Sequence, residues 1–188
     1  MNWINTIAIL VTAFLIVFLE SHYRGLANLL GAQVDLLPAL VVYASLNASI
    51  FTVATLSTFG GLWLDSLSAN PLGISVLPLF VIGSVIHYCR DLILREQLYA
   101  QFLLGLAASA AAPLFTLLSL LGTGAEPLVN GWSLWQWLVM AFGGGVFTPV
   151  FFRMFLRLNR AFNYQPLPET SFRPDREIKR GRMPHTDY

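Results

Sequence analysis

Five stretches of this chain contain no Asp, Glu, Lys or Arg: residues 1–19, 36–64, 66–89, 97–125 and 127–152. Each meets the length of ~20 apolar residues that a helix needs to cross the hydrocarbon core of a bilayer. No other feature limits the possible folds as strongly. Only 11% of all residues are charged, roughly half the fraction usual in soluble domains. An all-α body embedded in a membrane is the expected architecture.

The charges that do occur are unevenly placed. Eight of the eleven Lys and Arg residues fall after position 152, leaving Arg24, Arg90 and Arg95 against six acids in the first 152 positions. The body is therefore acidic and the end of the chain basic, which argues against nucleic-acid binding by the body, since that needs a basic face. Cys89 is alone, so neither an intramolecular disulfide nor a thiolate zinc site is expected. The first run has no basic residue ahead of it and no small-x-small pattern behind it. It fits a first membrane span better than a cleaved signal peptide.

Run 36–64 has 29 residues, about 43 Å as one helix against a core near 30 Å. The sequence Asn47-Ala48-Ser49 interrupts it, and Pro38 suits a first helical turn. Splitting it there gives six expected spans, near 3–20, 36–47, 49–66, 71–90, 97–121 and 132–155. The body is residues 1–160, followed by a basic, Pro-rich tail at 161–188. With six spans both termini share one side, and retention of basic residues in the cytoplasm puts the 90–96 loop and the tail there. Five spans, with the N-terminus outside, satisfy the charge rule equally well.

Among the polar residues, Asp65 stands out, because an ionisable group in or near a span costs ~2.5 to 3.5 kcal/mol at the helix centre and less toward the interface. In GLWLDSLSANPLG it reads as an interfacial carboxylate ordering a corner between two helices. Gly60 and Gly61 permit close approach there, and Asn70, Pro71 and Gly73 shape the turn. Small residues four apart (Gly105 and Ser109, Ala108 and Ala112, Ala141 and Gly145) suit close packing of membrane helices. Arg153, Arg157 and Arg160 share one helical face, as a cytoplasmic membrane anchor or a contact for anionic lipid or a cytoplasmic partner. The three His residues lack metal-ligand spacing, and no nucleophile motif or phosphate-cradling loop is present. No catalytic residue, metal or cofactor is expected.

The order VDLLPALVVYASL, then GGLWLDSLSANPLGISVLPLFVIGSVI, resembles the bacterial rod-shape-determining membrane proteins of the MreD family. Asp35 and the run ending in Val-Val-Tyr-Ala look like that family's second helix. Gly61, Asp65, Pro71, Leu72 and Gly73 match its Gly-x-x-x-Asp and Pro-Leu-Gly signature, while Ala69 stands where the family commonly has Gly. The resemblance covers residues 31–108. It implies six transmembrane helices, a fold similar to the substrate-binding subunits of energy-coupling-factor transporters, and a non-enzymatic role in the inner membrane. Its implied partners are MreC, the MreB filament, and the glycosyltransferase and transpeptidase of peptidoglycan synthesis and cell-wall elongation, through which cell shape is maintained. A vitamin-transport subunit is the alternative. Those proteins usually carry Ala-x-x-x-Ala on the first helix, whereas Ala8 is followed here by Thr12. An intramembrane enzyme is a third class, and it would need two polar groups converging at depth.

Overall fold

The computed structural model describes residues 3–22, 31–32, 34–68, 71–93, 97–122 and 131–162. They form six α-helices and no strand: α1 (Trp3–His22), α2 (Leu37–Asn47), α3 (Ile50–Leu67), α4 (Val76–Tyr88), α5 (Leu98–Gly122) and α6 (Gly131–Phe162). Four of them, α1, α3, α5 and α6, are long and apolar enough to cross a membrane. This is the signature of a multi-pass membrane protein. With 11 and 13 residues, α2 and α4 measure about 17 and 20 Å, short of a ~30 Å hydrocarbon core.

The helices lie where the charge-free runs put them, including the break between α2 and α3. Ala48 and Ser49 are extended, and the Ser49 hydroxyl accepts a hydrogen bond from Thr52 N at 3.3 Å. This is an N-cap, satisfying an amide that the helix itself leaves unpaired. α4 begins at Val76 and not near 71, because residues 72–75 are drawn into turns. Pro78 therefore sits in the first turn, where its missing N–H is not needed. Pro113 and Pro149 do lie inside helices. α6 continues to Phe162, past the expected end of the body. Of the tail expected at 161–188, residues 161 and 162 belong to α6 and 163–188 lie outside the described residues.

All ten residues from Leu37 to Leu46 are buried. α2 is apolar on every side, which suits a helix enclosed by others, and it contacts each of the other five. Tyr43 lies 4.3 Å from Phe155 and 5.1 Å from Phe152, ring centre to ring centre. Around this hub, α5 and α6 form the most extensive pair. A Cβ on Gly105 would lie 2.7 Å from the Gly144 carbonyl oxygen, and one on Gly144 would collide with Ser109 Oγ. The small residues of α5 thus face those of α6, backbone against backbone. Trp137 Nε1 donates to Ala110 O at 2.9 Å across the same seam.

Cross-links between helices define the two ends of the bundle. At one end, Glu20 of α1 meets Leu36 before α2, and Asp65 of α3 meets Ser75 before α4. At the other, Thr6 meets Thr52, and His87 Nδ1 lies 2.9 Å from Ser45 O. Glu20, Asp35 and Asp65 thus gather at one end, while Arg90, Arg153, Arg157 and Arg160 belong to the other.

Candidate functional site

The clearest polar construction is the corner between α3 and α4. Asp65 is only 1% exposed, enclosed by protein at the helix corner. Its Oδ2 accepts from Gly73 N at 2.8 Å and Ser75 N at 3.1 Å, and its Oδ1 accepts from Ser75 Oγ at 2.5 Å. Two amides and one hydroxyl offset the cost of burying the carboxylate. Two further turns complete the corner, Ile74 N donating to Pro71 O and Val76 N to Gly73 O, each at 3.3 Å.

Two glycines make this geometry possible. Gly73 has φ +91°, a left-handed conformation in which a Cβ is strained. A Cβ on Gly61 would lie 2.9 Å from Val76 Cα, so glycine there lets α3 reach the start of α4. Four of the five expected corner residues, Gly61, Asp65, Pro71 and Gly73, are therefore brought together, and Asn70 lies outside the described residues. Ser75 is the member that sequence reasoning missed. The arrangement holds the carboxylate with fixed donors and aims it at no open space, which makes it a clamp.

A second polar construction, a pair of carboxylates, stands at the start of α2. Glu20 Oε1 accepts from Leu36 N at 2.7 Å, and Asp35 Oδ1 accepts from Leu37 N at 3.0 Å. Consecutive amides thus hold the two acids side by side. Pro38, the next residue, has no N–H to satisfy, so the acids complete a buried helix start that backbone alone leaves open. Glu20 Oε2 is buried without a hydrogen-bond partner among the described residues. Burial raises the Asp35 carboxyl above the usual carboxylate range. The signal for Asp35 is local, an Asp two residues before the amide it binds. Glu20 is recruited from another helix and gives no such signal.

Between these constructions lies a partly open cavity of about 280 Å³, bounded by the ends of α3 and α5 and the starts of α4 and α6. Leu64, Leu79, Leu117, Leu120 and Met140 supply most of its apolar wall. Asp35, Ser75, Thr116 and Gln136 supply polar groups. Among the described residues no aromatic ring and no Lys, Arg or His lines it.

Comparison with protein-family models, curated proteins and solved structures finds no match.

The Arg face lies apart from the corner. Arg153, Arg157 and Arg160 are exposed on α6, opposite buried Phe151, Phe152 and Phe155. Arg153 stands about 33 Å along the helix from Gly131, one hydrocarbon thickness away. The three arginines form a basic collar near the end of α6.

Proposed function

We propose that the chain is a non-enzymatic inner-membrane subunit of the bacterial cell-elongation complex, of the MreD type, working with MreC, MreB and the glycosyltransferase and transpeptidase that build peptidoglycan. The observation that carries this reading is the corner: Gly61, Asp65, Pro71 and Gly73, the residues of the resemblance, are those whose geometry builds the α3–α4 clamp. A rigid corner at one end of a helical bundle suits a subunit that presents a fixed surface to partners. On this reading all six helices are membrane segments, two of them short, in a fold akin to the vitamin-binding transport subunits. Both termini and the Arg collar are cytoplasmic, and the acidic end faces outward.

The transport alternative draws less support. A vitamin-sized aromatic ligand favours stacking rings, and the described cavity wall carries no aromatic ring. The first helix also offers Thr12 in place of a second docking alanine.

The test is mild solubilisation from the native membrane followed by mass spectrometry of what stays bound. MreC and wall-elongation enzymes are the expected company. Recovery of coupling-factor ATPases with a small molecule, and no cell-wall proteins, would sink the proposal. Because the Asp65 carboxylate is buried, no partner reaches it directly. Asp65→Ala should weaken the association, and Asp65→Asn, which can keep the clamp, should largely preserve it.

A further inference from the structure

The cavity at the acidic end presents a chemistry that the cell-elongation reading does not use. Its volume of about 280 Å³ would hold roughly nine waters at ~30 Å³ each and lies just below the ~300 to 1,000 Å³ of small-molecule sites. The polar groups on its wall are biased toward accepting hydrogen bonds. The Ser75 hydroxyl gives its proton to Asp65, and the Thr116 hydroxyl gives its own to Ala112 O at 3.0 Å. Each retains only lone pairs for an occupant. Asp35 adds a carboxylate, of which Oδ1 takes the Leu37 amide, and Gln136 adds one amide group of each kind. With no basic side chain on the described wall, phosphate or carboxylate would meet the Asp35 carboxylate and accepting oxygens, with the Gln136 amide as its one side-chain donor there. Water alone would leave the leucines and Met140 wetted, at ~25 cal/mol per Å² of apolar surface.

We infer that this cavity binds an alkylammonium group, with the cation against Asp35 and the accepting oxygens of Ser75 and Thr116, and the aliphatic part against Leu64, Leu79, Leu117 and Leu120. The source is either a free aliphatic amine or the head of an ethanolamine lipid, which carry the same ammonium. The inference stands on the cavity and not on the proposed complex, so either can fail alone.

Full-length protein in detergent, titrated calorimetrically with n-hexylammonium, n-hexanoate and n-hexanol, reads this directly. Hexylammonium should bind at least about ten-fold more tightly than the other two, the size of one charge-assisted hydrogen bond. Asp35→Asn, which retains an acceptor for Leu37 N, should lower that affinity about ten-fold or more. Ala112→Leu, which fills the wall from α5, should also lower it, each variant being checked for wild-type helicity and elution. Native mass spectrometry from nanodiscs then separates the sources: an ethanolamine lipid retained by wild type and lost by both folded variants assigns the lipid, and hexylammonium binding without such retention assigns the free amine. Failure of hexylammonium to bind folded wild type, equal binding of hexanoate, or unchanged binding by both folded variants overturns the inference.

Discussion

Replacing Asp65 by Ala and by Asn separates hydrogen-bond geometry from charge. Ala removes three bonds and leaves the amides of Gly73 and Ser75 without their acceptor. An unsatisfied buried donor costs ~1–3 kcal/mol, and loss of the carboxylate's own desolvation penalty offsets part of the damage. The net expectation is about 3 kcal/mol. Asn can place its carbonyl where Oδ2 stands, keeping both amides, and donate from its NH2 to Ser75 Oγ once that hydroxyl rotates. Only the charge assistance is lost, about 1 kcal/mol. At ~2–4 °C per kcal/mol for a chain of this size, Ala should lower the unfolding midpoint by roughly 6–12 °C and Asn by roughly 2–4 °C. Tryptophan fluorescence of the detergent-solubilised protein during heating measures both. Equal midpoints for Asn and Ala would refute the argument, because the negative charge would then matter in its own right; a harmless Ala would show that the clamp holds nothing.

Gly73→Ala, at φ +91° with no atom near the added Cβ, should cost about 1–2 kcal/mol through backbone strain alone, seen as a few degrees in the same melt. Gly144→Ala should separate α5 from α6 and lower the midpoint further, and adding Ser109→Gly should recover part of the loss, since the collision is with the Ser109 hydroxyl. Ser109→Ala by itself should be close to neutral, because that hydroxyl is buried without a partner among the described residues. The exposed thiol of Cys89 reports orientation: a membrane-impermeant maleimide should label it in inside-out vesicles and spare it in spheroplasts, and the reverse pattern would invert the proposed topology.

The placement of the helices was legible because the bilayer and the bundle core make the same demand, long runs free of charge. The 47–49 break was legible too, as Asn and Ser near a polar gap and a following cap. The burial of Asp65 was not, since its donors come from residues 73 and 75 and an acid at a span end reads equally well as wet. Nor did the sequence reveal that α2 is the hub: a run apolar on all sides does not tell lipid from protein neighbours. The cavity was hidden for a related reason. It is bounded by four helix ends whose convergence depends on how α5 and α6 close on each other, a long-range outcome of Gly105, Ser109 and Gly144.

The enclosure of α2 has a consequence for how the protein is made. A segment of 11 residues leaves the ribosome after α1 and before α3 to α6, the helices that will cover most of its surface. At ~5–20 residues per second, the last of those helices is complete roughly 6–23 seconds later. During that interval the shortest helix has only α1 for company, tied by Glu20 to the amide that opens α2. Late closure by α6, whose Phe152 and Phe155 cover Tyr43, makes biogenesis a matter of waiting, and truncation before α6 should strand the hub for quality-control proteases to find.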